Sequence, residues 1–180
     1  MTDSALVANV RAGDADAFRV LVDRHGRMLF RVAYRVTGNQ QDAEDVVQET
    51  FLRVHRELHR FELRASVGTW LYRIAVNTAV DLRRSRRRET DWPEGQDERV
   101  ASAAPWPDRA LLSSEIQDRV EAALRPLSAQ ERAAFVLRHL EELSTAEIGR
   151  LLGLGTSAAK HSVFRVVRKV RAALEPLLDG

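Results

Sequence analysis

An all-helical chain of two small domains joined by a linker is what this sequence predicts, with a helix-turn-helix as the C-terminal domain. Three observations carry that reading. Apolar residues reach 44% while aromatics are only 6%, a composition that suits helical cores better than an aromatic-rich sandwich. Nine glycines and five prolines in 180 residues leave long uninterrupted segments between turns. Serine followed three residues later by glutamate or glutamine recurs at Ser114/Gln117, Ser128/Glu131 and Ser144/Glu147, the pattern in which hydroxyl and carboxylate or amide satisfy free backbone N–H groups at a helix start.

Taken in order, a short helix is expected over residues 4–11, closed by Gly13. A long one follows from Asp14 to Val36 and ends at Gly38. A third covers 40–60, a loop covers 61–68, and a fourth runs from Thr69 into an arginine run. Residues 1–88 thus form a four-helix bundle. Residues 89–112 hold three of the five prolines and no helical period, so they read as a linker, partly ordered by packing of Trp92 and Trp106 on a neighbouring domain. Residues 113–180 form a compact helical domain. Domains of this size bury only about 60% of their unfolded surface, so each is marginal alone.

Charge is unevenly placed. Lys and Arg outnumber Asp and Glu 16 to 11 in residues 1–88, fall behind 2 to 6 in 89–112, and lead 10 to 9 in 113–180. Arg83, Arg84, Arg86, Arg87 and Arg88 form one basic block; Lys160, Arg165, Arg168, Lys169 and Arg171 form another with no acid among them. Two basic blocks separated by an acidic connector fit two contacts with a polyanion. Cysteine is absent, which removes disulfides, thiolate metal sites and thiol redox sensing. No secretory leader and no eighteen-residue apolar run is found, so direct membrane insertion is not expected and a cytoplasmic location is.

Three constellations stand out. On the acidic helix, Asp45, Gln48, Glu49 and Leu52 share about a third of the circumference, opposite a core stripe of Val47, Phe51, Val54 and Leu58. A leucine in an acidic face fits a docking surface, although a single exposed leucine is ordinary. On the fourth helix Leu71, Ile74, Ala75, Thr78 and Leu82 form one face, with Trp70, Arg73, Asn77 and Arg84 on another. Aromatics, cations and an amide suit single-stranded nucleic acid; the competing reading makes Trp70 and Tyr72 core residues. In the C-terminal domain a capped helix, 145–152, meets a turn at Gly153 and then a longer helix. Its inward stripe is Ala159, Val163, Val166, Val167, Val170 and Leu174; Ser157, Lys160, His161, Phe164, Arg165 and Arg168 face outward. That is a helix-turn-helix whose second helix enters the major groove, where Lys160 and Arg165 reach phosphates or guanine edges and Phe164 a thymine methyl. The alternative buries Phe164 in a solvated basic helix.

Enzyme readings are weak. His55 and His59 stand at i and i+4, but a zincin needs glutamate directly after the first histidine, and here Glu57 is one position late with no third ligand. Neither a phosphate-binding loop nor a serine, histidine and acid arrangement is evident. No catalysis, metal or cofactor is expected.

The stretches DAEDVVQETFLRV, GTWLYRIAVNTAVDLRR and LSTAEIGRLLGLGTSAAKHSVFRVVRKVRAAL resemble an extracytoplasmic-function (ECF) sigma factor of bacterial RNA polymerase, of the sigma-70 family, over about residues 10–88 and 113–175. The resemblance implies a chain that directs promoter-specific transcription initiation. Asp45, Gln48, Glu49 and Leu52 would dock on the β′ clamp helices of core polymerase, with the β flap as a further contact. The loop Phe61–Val67, including Arg64 and Ser66, would open and read the −10 element together with Trp70, Arg73 and Asn77, while Arg83 and Arg84 hold phosphates. Thr156, Ser157, Lys160, His161, Phe164, Arg165 and Arg168 would read the −35 duplex. An anti-sigma factor is an implied partner. The chain departs from the family at Gly155–Ala158, at Ser162, where arginine is common, and in the loop FELRASVG, which leaves its base preferences open. The alternatives are a stand-alone helix-turn-helix regulator and, more remotely, a metal-dependent hydrolase on His55 and His59.

Overall fold

A computed structural model describes residues 1–62, 66–90 and 114–175. Among these the chain forms α1 (Asp3–Arg11), α2 (Ala15–Thr37), α3 (Gln40–Glu57) with a 3-10 turn at Leu58–Arg60, α4 (Val67–Thr90), α5 (Ser114–Leu124), α6 (Ala129–His139), α7 (Thr145–Leu152) and α8 (Thr156–Leu174). Leu63, Arg64 and Ala65, the connector with Trp92 and Trp106, and the side chains of Ser114, Gln117 and Leu174 lie outside the described residues.

Local chemistry explains most helix ends. Asp14 accepts from the N–H groups of Asp16 and Ala17 at 2.9 and 3.1 Å and starts α2. Gly38 ends it with φ +77°, a left-handed conformation that costs an L side chain but not glycine. Asn39 caps α3. Both Ser128 and Ser144 form complete capping boxes, with Glu131 and Glu147 reaching back to the serine N–H. Gly153, at φ +65°, closes α7. The fourth helix begins two residues earlier than Thr69 because Ser66 caps it, accepting from the Thr69 N–H at 3.1 Å.

Helices α2, α3 and α4 pack on one another, with α1 across α2; α5, α6 and α7 pack around α8. The halves also touch. Helix α6 lies against α2 and α4, and α7 against α4, so one apolar cluster runs from Leu21, Leu29 and Leu71 to Ala133, Leu137 and Ile148. This corrects two expected stripes. In α3 the buried arc is Ala43, Val46, Thr50, Phe51 and Val54, with Val47 only half-buried. The Thr50 hydroxyl donates to the Val46 carbonyl at 2.7 Å, which lets a polar residue enter the core. In α4 Trp70, Val76, Ala79 and Val80 are buried as well, while Thr78 and Leu82 are half-buried, because α4 is covered from more than one side.

Three arginines tie the halves together. Arg132 of α6, 0% exposed, donates through Nε to the Arg35 carbonyl at 2.9 Å and pairs in bidentate fashion with Glu121 at 2.6 and 2.8 Å. Arg35 pairs with Glu141. Arg83 donates to the Thr37 carbonyl at 2.9 Å and to Arg125 and Leu127 carbonyls at 3.3 and 3.4 Å. The fit is close: a β-carbon at Gly38 would lie 2.7 Å from Glu121 Oε1 and 2.8 Å from Arg132 Nη2.

Glu131 ends a second network. Burial pushes its carboxyl up, but hydrogen bonds from Lys169 and Ser128 outweigh this and hold it below the usual 4.5, with Lys169 Nζ at 2.8 Å. A depressed carboxyl stabilises the fold above the unfolded value, and that contribution is lost as pH falls through the lower folded one. Acid titration of Glu131→Gln by circular dichroism should therefore give a shallower loss of helix below pH 4.5 than the parent chain; identical acid limbs would refute the pairing.

Candidate nucleic-acid interface

The outward face of α8 is built by the turn before it. Gly153 and Gly155 bring α8 in after α7, and Ala159, Ser162, Val166 and Val170 face inward. Ser162 is therefore a buried neighbour of the core and does not reach solvent. What remains outside is Thr156, Ser157, Lys160, His161, Phe164, Arg165 and Arg168, all exposed. Phe164, 63% exposed, is an aromatic ring held in water. His161 Nδ1 donates to the Ser157 carbonyl at 2.8 Å, which turns Nε2 outward. Gly155 offers no side-chain cap, so the first N–H groups of α8 are left for water or an anionic oxygen. Lys169 belongs to the inner rim of this face, through Glu131.

The second surface lies on α3. Asp45, Gln48, Glu49 and Leu52 are all exposed, and Leu52 is 52% exposed. Glu49 shares its charge with Arg56 at 3.2 Å. Beside Leu52 opens an apolar groove of about 600 Å³ between α2 and α3, walled by Phe18, Val22, Phe30, Val47 and Phe51. The periodicity of α3 alone does not show it, because Phe18, Val22 and Phe30 come from α2. His55 meets the ring of Phe18 edge-on at 5.1 Å, and among the described residues no cluster of three His, Asp or Glu could hold a metal.

The third set is divided. Phe61 and Trp70 stack on each other, centroids 4.4 Å apart and planes 20° from parallel, each 8% exposed. Trp70 is thus not on the exposed face expected for it; its ring is spent on Phe61. Arg73 and Arg84 are exposed, Asn77 is half-buried, and Arg84 has Asp81 at 4.0 Å. Arg83 is turned onto carbonyls. Burial first, then Arg132 and Arg87 nearby, draw its guanidinium down to about 10. Burial, with Glu141 beside it, pushes the Tyr72 phenol up. Ser66, Trp70 and Arg73 line a cleft of about 1100 Å³ whose far wall is Glu141, Glu147 and Arg150. Arg11, which the motifs did not single out, holds the approach to this cleft by donating to the Leu58 carbonyl at 3.0 Å and to the Phe61 carbonyl.

Comparison with known proteins places this arrangement. Residues 21–89 match the family described as Sigma-70 region 2, and residues 117–170 match Sigma-70, region 4. Two such regions in tandem define a promoter-specificity subunit of RNA polymerase. The ECF RNA polymerase sigma factor SigW of Bacillus subtilis is 30% identical over 95% of this chain and 96% of its own. The ECF RNA polymerase sigma-E factor of Escherichia coli is 31% identical over 99% and 97%. Among solved structures, CnrH in complex with the cytosolic domain of CnrY is 28% identical, with TM-score 0.65 and 97% of both chains covered. The sigma factor RpoE with the anti-sigma factor NepR, from Bartonella quintana, is 25% identical, with TM-score 0.68 over 88% of this chain and 96% of that one. The chain belongs to the ECF sigma factors of the sigma-70 family; it binds core RNA polymerase and promoter DNA and directs transcription initiation. Among the described residues no helix is long and apolar enough to cross a membrane.

Proposed function

We propose that residues 1–88 dock on core polymerase and open the −10 element, that 113–180 read the −35 duplex, and that 89–112 connect them. The α3 face of Asp45, Gln48, Glu49 and Leu52 takes the β′ clamp helices, the leucine supplying an apolar centre inside a charged rim. Arg73, Asn77, Arg83 and Arg84 hold the −10 strand, with Phe61, Arg64, Ser66 and Trp70 shaping the loop and helix that present it. Thr156, Ser157, Lys160, His161, Phe164, Arg165 and Arg168 enter the −35 major groove. The observation that carries this is the α8 face: seven residues of the right chemistry, all exposed, over a buried small-residue stripe.

Melting is driven by tighter binding of the open promoter than the closed one; the chain performs no catalysis itself and acts in the cytoplasm, where its polymerase is. The β flap and an anti-sigma protein are further partners. The RpoE relative was solved with a named anti-sigma factor, which supports the second.

Run-off transcription with core polymerase, with and without the chain, on a sequenced promoter library tests the whole. Start sites should appear only with the chain present. Arg165→Ala should weaken promoter binding by about 1–3 kcal/mol and relax selection at one −35 position, while binding to core polymerase stays unchanged. Tight duplex binding without any promoter-specific transcript would favour a stand-alone regulator instead.

A further inference from the structure

We infer that Arg11, at the C-terminal end of α1, is a positioning residue for −10 selection: it pins the backbone at Leu58 and Phe61, where α3 has ended and the reading loop starts. The inference rests on the assignment of that loop to the −10 element made above.

The last carbonyls of a helix have no donor within it. Past α3, the 3-10 turn at Leu58–Arg60 gives way at Phe61 to extended backbone, with ψ 113°, so helical bonding stops there. The Phe61 N–H donates to the Leu58 carbonyl at 3.2 Å. Arg11 supplies further donors from 47 residues earlier in the chain. Its Nε and Nη2 reach the Leu58 carbonyl at 3.1 and 3.0 Å, and Nη2 also donates to the Phe61 carbonyl. One planar guanidinium therefore holds both ends of the turn at a fixed spacing. The ring of the same Phe61 stacks on Trp70. Arg73 and Asn77, assigned to the −10 strand, follow Trp70 one and two turns along α4. At the far side of the loop Ser66 caps α4 through the Thr69 N–H. The loop thus leaves a clamp and enters a cap, and the clamp is made by another helix.

Helix α1 is itself held in place. Asp3 at its start pairs with Arg24 of α2 at 2.5 Å and with His25 at 3.0 Å, and Leu6 and Val7 are 0% exposed. It acts as a strut that runs from α2 to the start of the loop. Arg11 grips main-chain oxygens, so its removal alters no side chain assigned to DNA or to polymerase. A loop end that is no longer held samples other positions, and a strand that needs one of them binds more weakly by the fraction in which it is occupied. Arg11 is exposed, which places its bonds at the low end for hydrogen bonds to charged groups, equivalent to about tenfold.

Run-off transcription with core polymerase on two promoter libraries, one randomised at −10 and one at −35, compares the parent with Arg11→Ala and Arg11→Lys. The yield ratio between preferred and average −10 sequences should fall about tenfold in Arg11→Ala. The ranking of −35 sequences and competition for core polymerase should match the parent. Arg11→Lys keeps a cation but loses the fork, and should recover part of the −10 ratio. Trp92→Phe with Trp106→Phe leaves Trp70 alone of the three tryptophans. Adding Arg11→Ala to that chain should move Trp70 emission to the red and raise its quenching by acrylamide, because the face on Phe61 is released. An unchanged −10 ratio overturns the role of Arg11, and so does unchanged Trp70 emission. Equal flattening of the −35 preference overturns it too, since that is damage to the whole chain. A parent with no −10 preference defeats the reading of the loop first, and the inference with it. Should Arg11→Ala lose its helical spectrum, Arg11→Gln takes its place with the same readouts.

Discussion

Arg132→Ala should cost about 3–5 kcal/mol, the range for removing one partner of a buried pair. The Arg132 guanidinium is 0% exposed, its Nε satisfies a carbonyl in the last turn of α2, and its two Nη atoms face the two oxygens of Glu121. Truncation leaves that carboxylate part-buried without a cation and the Arg35 carbonyl without a donor. It also opens a hole the size of the side chain where α2, α5 and α6 meet. For a chain of this length each kcal/mol moves the thermal midpoint by roughly 2–4 °C, so a fall on the order of 10 °C is expected by circular dichroism. Glu121→Gln, which keeps one acceptor oxygen for the guanidinium and leaves no buried charge of its own, should cost less. A loss below about 1 kcal/mol for Arg132→Ala would mean that this contact is not made in solution.

Leu52→Asp should weaken binding to core polymerase by at least about thirtyfold, the 2 kcal/mol that marks an interface hot spot. Leu52 projects from an acidic surface and adjoins the groove of Phe18, Val22, Phe30 and Phe51. A partner helix that covers both would desolvate the leucine and the aromatic wall together, whereas a carboxylate there would be buried among apolar atoms. The fold should not notice, since exposed substitutions away from caps and networks usually stay within about 0.5 kcal/mol. Competition against the parent chain for limiting core polymerase, read beside thermal melts, separates the two effects. Unchanged competition would remove α3 from the polymerase interface; a lost helical signal would make Leu52 part of the core.

What could be read from the sequence was whatever one helix decides by itself. Asp14, Ser128 and Ser144 announced helix starts, and Gly38 and Gly153 announced ends, because capping bonds and left-handed turns act within a few residues. The exposed side of α8 was legible for the same reason: its small and branched residues recur at helical spacing over nearly five turns. Trp70, Arg83 and Arg132 were not legible. Each is placed by a segment distant in sequence: Phe61 across a loop, the α5–α6 turn, and the end of α2. A stripe drawn on α4 has no means of showing that a second layer covers its other side. The groove beside Leu52 was hidden likewise, since only packing brings α2 alongside α3. The basic block on α4 reads in the sequence as a contact for a polyanion; in the structure Arg83 and Arg87 donate to carbonyls of their own chain.

Gly38 joins these two scales. Its positive φ is a demand made by the chain immediately around it, and asparagine could meet that demand tolerably. The closeness of Glu121 and Arg132 is a demand made by a helix pair more than eighty residues away. Any side chain acceptable to the first must still displace the tips of the Glu121 and Arg132 side chains. The absent methyl group leaves room for that ion pair, and substitutions ranked at this position would report on how far the pair can give way.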